Sequence, residues 1–286
     1  MHIKKEEKDI KYFVVGHSHS EMAYNDSIIK GLRNISNSGE SYLSSYYKTK
    51  ILLEYNPQID TIFVEFSNNH LDEDMDEWIW GSDFLQMAYL DLSPSVSASN
   101  KWWLFQRNPS GFLAASSIAG KVRLKRMRYS YHGFRYTGGF RHINWNRTDS
   151  LLQAIHHNSP DTIFAGTADK FSSSNLRFLK QLVEFCKENR IKIYLIRSPL
   201  HAFYREHIIE KPYYRVLDTE LKSLEYLDFS RYPLSNSEFG DLSHLNHKGA
   251  MKFSVWLDSL LQGGLLNKQN KQEIIDMEIS RINSDL

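Results

Sequence analysis

Two short stretches carry residue types that could perform acyl transfer. One is Gly16-His17-Ser18-His19, directly behind the apolar run Tyr12-Phe-Val-Val; the other is Asp241-Leu-Ser-His244. A serine hydroxyl is a weak nucleophile at neutral pH and needs a base within hydrogen-bond reach. Imidazole, with an ordinary pKa of about 6.5, suits that task. A carboxylate on the other ring nitrogen fixes the tautomer and orientation. Asp241 and His244 are close enough in sequence for one turn to bring them to a single site. The tetrahedral intermediate then needs donors for its oxyanion. The N–H groups of Ser18 and Gly39 and the side-chain amide of Asn69 are the candidates, each such donor typically contributing ~100–1000-fold. Singly, these residues have ordinary readings: Ser18 or Ser20 as a helix N-cap, Asn69 as a turn former.

The elements that must position them alternate. Tyr12 to Val15 reads as a buried strand, and a helix is expected from Met22 to Leu32. The stretch 33–39 reads as a short strand ending in a polar turn. Tyr42 to Tyr55 has helical spacing and is stopped by Pro57; Asp60 to Phe66 is a β-rich run ending in Ser67-Asn68-Asn69-His70. Strand, helix, strand, helix, strand is the pattern of a parallel sheet with crossover helices. The polar turns then lie at the carboxyl ends of the strands, where open sheets bind ligands. After about residue 159 the pattern resumes. A short strand is expected at 162–165, a helix from Asn175 to Asn189 and a strand from Ile191 to Ile196. A helical stretch from Tyr204 to Tyr226, broken near Pro212, a strand from Leu227 to Phe229 and a helix from Lys248 to Leu261 complete it.

In this order, the residues resemble the SGNH (GDSL-like) hydrolase superfamily. Gly16-His17-Ser18 looks like its first block, Gly-Asp-Ser, and Asn37-Ser38-Gly39 like its second. Ser67-Asn68-Asn69-His70 looks like Gly-x-Asn-Asp, and Asp241-Leu-Ser-His244 like the closing Asp-x-x-His. The resemblance covers roughly 10–70 and 160–262. It implies a flavodoxin-like three-layer α/β/α sandwich with a central, mostly parallel sheet. It also implies Ser18 as nucleophile, His244 as base, Asp241 as its orienter, and an oxyanion hole from Ser18, Gly39 and Asn69. Three positions depart: His17 and His70 stand where the family has aspartates, and Ser67 where it has a glycine.

Residues 71–159 break the pattern and read as an insertion over one edge or mouth of the sheet, with loops expected at Gly133, Gly138 and Gly139. No Asp or Glu occurs between Asp91 and Asp149, whereas ten Lys and Arg fall there. Such one-signed charge suggests an anionic partner, such as an acidic glycan, a phosphorylated polymer or an acyl-CoA. The tryptophans could stack on sugar rings. Candidate substrate contacts are therefore His17, His19, His70, Trp102, Trp103, Lys125, Arg126 and Arg128. A carbohydrate O-acyl esterase or acyltransferase is the favoured reading, with no cofactor and no nucleic acid.

Two rivals use the same residues. His17-x-His19-Ser20 is similar to the His-x-His-Ser start of PHP-type phosphoesterases, and His-x-His also opens amidohydrolase barrels; imidazoles at that spacing can share a divalent metal. Alternatively, a catalytically inactive SGNH-like module could bind a glycan or protein through the insertion. With 286 residues, 41% hydrophobic and 24% charged, the chain suits one large α/β domain over 1–262, with a polar tail or peripheral helix at 263–286. Its single cysteine, Cys186, excludes an intramolecular disulfide. The first residues show no apolar signal segment and no stretch is apolar enough to span a bilayer, so a cytoplasmic location is expected.

Overall fold

Strands rich in Val, Ile, Phe and Tyr, buried on both faces, form the centre of the molecule. The computed structural model describes residues 9–128, 137–157, 171–208 and 210–284. The five strands are β1 (Tyr12–Val15), β2 (Leu32–Asn34), β3 (Thr61–Glu65), β4 (Lys192–Arg197) and β5 (Glu225–Asp228). They pair in the order β2-β1-β3-β4-β5 and every pairing is parallel. This is the flavodoxin-like order, whose topological switch lies between β1 and β3.

Helices cover both faces. On one, α2 (Tyr42–Tyr55) and α9 (Ser173–Glu188) pack against Phe13, Val15, Ile62, Val64 and Leu195. On the other, α1 (Ser18–Ala23), α12 (His247–Gln262) and α13 (Lys271–Ser284) cover Val14, Phe63, Tyr194, Ile196 and Leu227. Successive residues of β1 thus enter opposite cores, as the two-residue strand period requires. The expected three-layer α/β/α class holds.

The sequence reading needs correction in two places. The helix expected at Met22–Leu32 is α1, which starts at Ser18 and ends at Ala23; residues 25–31 are turns. Tyr24 leaves the helix in an extended conformation, and Asn34 holds that turn by donating to the Ser20 and Tyr24 carbonyls, both at 2.8 Å. The stretch from Tyr204 to Tyr226 comprises α10 (Ala202–His207), α11 (Lys211–Glu220) and then the start of β5. Of the polar tail or peripheral helix expected at 263–286, the structure shows the helix, α13, whose Ile275 and Ile279 are buried against the sheet. The strand expected at 162–165 and the loop at Gly133 lie outside the described residues.

Between β3 and β4 the chain makes a long excursion that is mostly helical. It contains α3 (Asn68–Leu71), α4 (Glu77–Trp80), α5 (Ser82–Leu92), α6 (Ala98–Arg107), α7 (Pro109–Arg128) and α8 (Thr148–His157). Residues 137–147 have no regular secondary structure, and this strap runs across the sheet's carboxyl rim. Gly139 N–H donates to the Ser36 carbonyl (3.1 Å) and Arg141 N–H to that of Glu21 (2.9 Å). Arg147 N–H donates to the Gly240 carbonyl (2.6 Å), and Ile143 accepts from His247 N–H (2.9 Å). Among the described residues no helix is long and apolar enough to cross a membrane.

Candidate active site

Because the sheet is parallel, its carboxyl rim collects the turns after β1, β2, β3 and β5. Gly16 ends β1 against β3: a Cβ there would lie 2.4 Å from Cβ of Glu65 and 2.7 Å from Oγ of Ser20. Only glycine fits, and the chain turns at once into α1. His17 is the N-cap; its Nδ1 accepts from the His19 N–H at 3.3 Å. Ser18 is the first helical residue, so its own N–H has no intrahelical partner.

The loop behind β5 delivers the other polar groups. Asp241 Oδ1 accepts from the N–H groups of Ser243 (2.8 Å) and His244 (2.9 Å), which folds the loop into a tight turn. His244 Nδ1 lies 2.9 Å from both Asp241 oxygens, and its Nε2 lies 2.7 Å from Ser18 Oγ. The carboxylate accepts the Nδ1 proton, leaving the Nε2 lone pair toward the serine hydroxyl. Burial alone would raise the Asp241 pKa, but the hydrogen bond and charge of His244, with help from Ser243, bring it down to about 2. The carboxylate is therefore ionised across the neutral range.

Gly39 sits in the turn after β2 with φ of 66°, a left-handed conformation that favours glycine. A buried assembly supports that turn. Glu40 Oε1 accepts from Ser45 Oγ at 2.7 Å, and Glu40 Oε2 pairs with the Lys48 ammonium. Lys48 also donates to the Ile35 carbonyl. Both charged side chains are fully buried. Burial pushes Glu40 up and Lys48 down, each opposed by the partner's charge. Asn69 lies in α3 behind β3, one residue after Asn68, whose Oδ1 accepts from the buried Arg197 guanidinium at 3.1 Å. Arg197 also pairs with Glu210 at 2.6 Å and lies over the Tyr213 ring. Ser18, Gly39, Asn69, Asp241 and His244 are all partly open, whereas their flanking residues are largely buried.

Three further histidines run from His244 in a chain of edge-on ring contacts. Ring centroids are 4.6 Å apart for His70 and His17, 4.4 Å for His17 and His19, and 5.1 Å for His19 and His244. His17 Nε2 donates to Ser67 Oγ at 2.6 Å, since its Nδ1 is the cap acceptor. Two of the three positions that depart from the resembled pattern, His17 and Ser67, are thus bonded to each other. His70 stacks on Tyr42 and its Nε2 donates to the Glu40 carbonyl at 2.9 Å. Burial lowers all three pKa values, that of His70 to about 4, so the imidazoles are neutral.

Among the other expected contacts, Trp102, Lys125 and Arg128 are exposed on α6 and α7. Trp103 instead packs edge-on against Phe178 and Trp80, with Arg107 and Arg177 over its ring. Its ring is used inside the excursion. The side chain of Arg126 lies outside the described residues. His17 is committed on both ring nitrogens, and no group of three or more His, Cys, Asp or Glu among the described residues is placed to hold a metal ion.

Several residues of the rim escaped the sequence reading. Glu65 ends β3 fully buried, accepting from the N–H (3.1 Å) and Oγ (2.5 Å) of Ser198; burial raises its pKa to about 8. The signal for it was a lone acid inside the apolar run Thr61 to Phe66. Arg197 was likewise a cation at the end of an apolar strand. Glu40 and Lys48, eight residues apart across a turn and a helix, left no local signal.

Comparisons with known proteins add little to this geometry. A protein-family model carrying no descriptive name matches residues 152–265, a span that includes Asp241 and His244 but not Ser18. No curated protein sequence matches the chain. Similar solved structures include a Bacteroides fragilis protein described as a "putative acylhydrolase". It is 11% identical, with 96% of this chain and 90% of that chain covered and a TM-score of 0.36. At that similarity the likeness carries no functional argument.

Proposed function

We propose that the chain is a serine-dependent acyl-ester hydrolase or O-acyltransferase, of carbohydrate O-acetyl type. The observation that carries the proposal is the continuous line Ser18 Oγ, His244 Nε2 (2.7 Å), His244 Nδ1, Asp241 (2.9 Å). Ser18 Oγ attacks the acyl carbon while its proton passes to His244 Nε2. Asp241, ionised, stabilises the imidazolium. The Ser18 and Gly39 N–H groups and the Asn69 amide receive the oxyanion. The ester C–O bond then breaks, His244 returns its proton to the leaving alkoxide, and the acyl group remains on Ser18. Water or a sugar hydroxyl, deprotonated by His244, completes the cycle and regenerates the serine.

The metal-dependent reading is disfavoured because His17 spends both ring nitrogens on Ser67 and the His19 N–H. The test is labelling with a fluorophosphonate and hydrolysis of p-nitrophenyl acetate, with and without EDTA. Wild type is expected to label irrespective of EDTA. Ser18→Ala should lose labelling and about 10⁴-fold or more of turnover. Equal labelling of both proteins, or activity abolished by chelator, overturns the reading. A panel of O-acetylated sugars then tests the substrate class.

A further inference from the structure

The outward line of α7 has no role in the scheme above. Leu113, Ser117, Gly120, Leu124 and Arg128 recur at spacings of four and three, so they share one face of the helix. All five are exposed, Leu113 by 59% and Leu124 by 65%. A Cβ added to Gly120 would meet nothing within 4 Å, so this face stands open. The opposite line, Gly111, Ala115 and Ala119, is buried, and α7 packs on α5 and α6.

Cations flank the open line. Lys121 and Lys125 border one side and Arg123 the other, all exposed. Lys121 and Lys125 form no ion pair among the described residues, and no acid occurs in the sequence from 92 to 148. Trp102 on α6, 59% exposed, stacks on Phe105, which meets Phe112 in the first turn of α7.

We propose that the α7 face docks on an anionic lipid bilayer surface. A soluble acidic glycan or phosphorylated polymer would engage the lysines and gain nothing from two leucines held in water. A bilayer uses both: leucine enters the acyl boundary while flanking lysines meet lipid phosphates. Ser117 and Gly120, small residues between the leucines, let the helix lie close. The surface stands independently of the ester reading, since none of Ser18, Gly39, Asn69, Asp241 and His244 lies on it.

The test is co-sedimentation of the full chain with phosphatidylcholine vesicles, with and without phosphatidylglycerol, at low and high salt. Binding is expected only with the anionic lipid and should weaken with salt. Lys121→Gln with Lys125→Gln should weaken it about 25-fold, since each basic side chain near such a surface contributes about fivefold. Leu113→Ser with Leu124→Ser should weaken it about tenfold or more. Both pairs are solvent-exposed, and unchanged thermal melting checks that each variant is folded. The proposal is overturned by absence of sedimentation, by equal binding to neutral vesicles, or by loss of the lysine effect. It is equally overturned if inorganic polyphosphate binds as tightly as vesicles and the leucine pair has no effect.

Discussion

The carboxyl rim of the sheet and the helical excursion between β3 and β4 use polar residues in opposite ways. At the rim, charged and polar side chains are buried and tied to one another. Lys48 is held by Glu40, Arg197 by Glu210 and Asn68, and Glu65 by Ser198. On α7, lysines and leucines stand exposed, and the lysines form no ion pair among the described residues. Reaction geometry tolerates errors of only a few tenths of an ångström, so its supports must be locked by burial. A surface that meets a broad partner needs charge and apolar area, not fixed geometry. The strap at 137–147 joins the two regimes. It hydrogen-bonds to the turn behind β2 and to the loop carrying Asp241 and His244.

That contrast can be broken by experiment. The largest effect is expected at the base: His244→Ala should lower ester turnover by about 10⁴-fold with unchanged melting. A loss under tenfold would remove the rim from the chemistry. Next, Asn69→Ala should cost about 10²–10³ in kcat with little change in KM, as for loss of one oxyanion donor. The support is tested by Lys48→Met, which strands the Glu40 carboxylate in a dry interior and should destabilise the fold by about 3–5 kcal/mol in urea. A similar swap at Lys125, exposed on α7, should fall within about 0.5 kcal/mol. If the two costs are equal, the rim is no more locked than the excursion.

The smallest effect is a pH signature confined to the rim. His17, His19 and His70 have folded pKa values below the unfolded value of about 6.5. As pH falls from about 6.5 toward 4, the unfolded chain binds more protons than the folded one, so stability drops. Glu65 runs the other way, since its folded pKa rises to about 8. The folded chain keeps that proton while the unfolded chain loses it above about 4.5, so stability falls as pH rises toward 8. The imidazoles shape the acid limb, and Glu65, joined by Glu40 whose pKa burial also raises, opposes them as pH rises. Replacing Glu65 with Gln should flatten the alkaline limb and leave the acid limb in place, read from denaturant midpoints across pH.

Much of this was legible from the chain. The expected bounds of β1 (Tyr12–Val15) and α2 (Tyr42–Tyr55) match the structure, because each ends at a local stop: Gly16 after the strand, Pro57 after the helix. The first helix was misplaced because the signal lay in a cap made by a histidine side chain, His17, which propensity rules do not favour. The segment holding α13 read as a polar tail or a peripheral helix because its buried residues, Ile275 and Ile279, are sparse in a polar stretch. Only the sheet edge at β5 shows what they cover. Trp103 looked like a contact for a sugar ring until Phe178 and Trp80 took up its faces.

The sequence by itself determined the alternation of strands and helices, the order of the polar turns, and the pairing of Asp241 with His244. All of these are set by period, glycine and spacing within a few residues. Tertiary structure alone decided that Ser18 and His244, 226 residues apart, come within 2.7 Å. It also decided that His17 bonds Ser67, that Lys48 and Glu40 are buried together, and that α7 turns a leucine-and-lysine line outward. The physical reason is that a parallel sheet gathers the ends of strands far apart in sequence. Which side chains meet there depends on strand order and register, and no local stretch of chain encodes either.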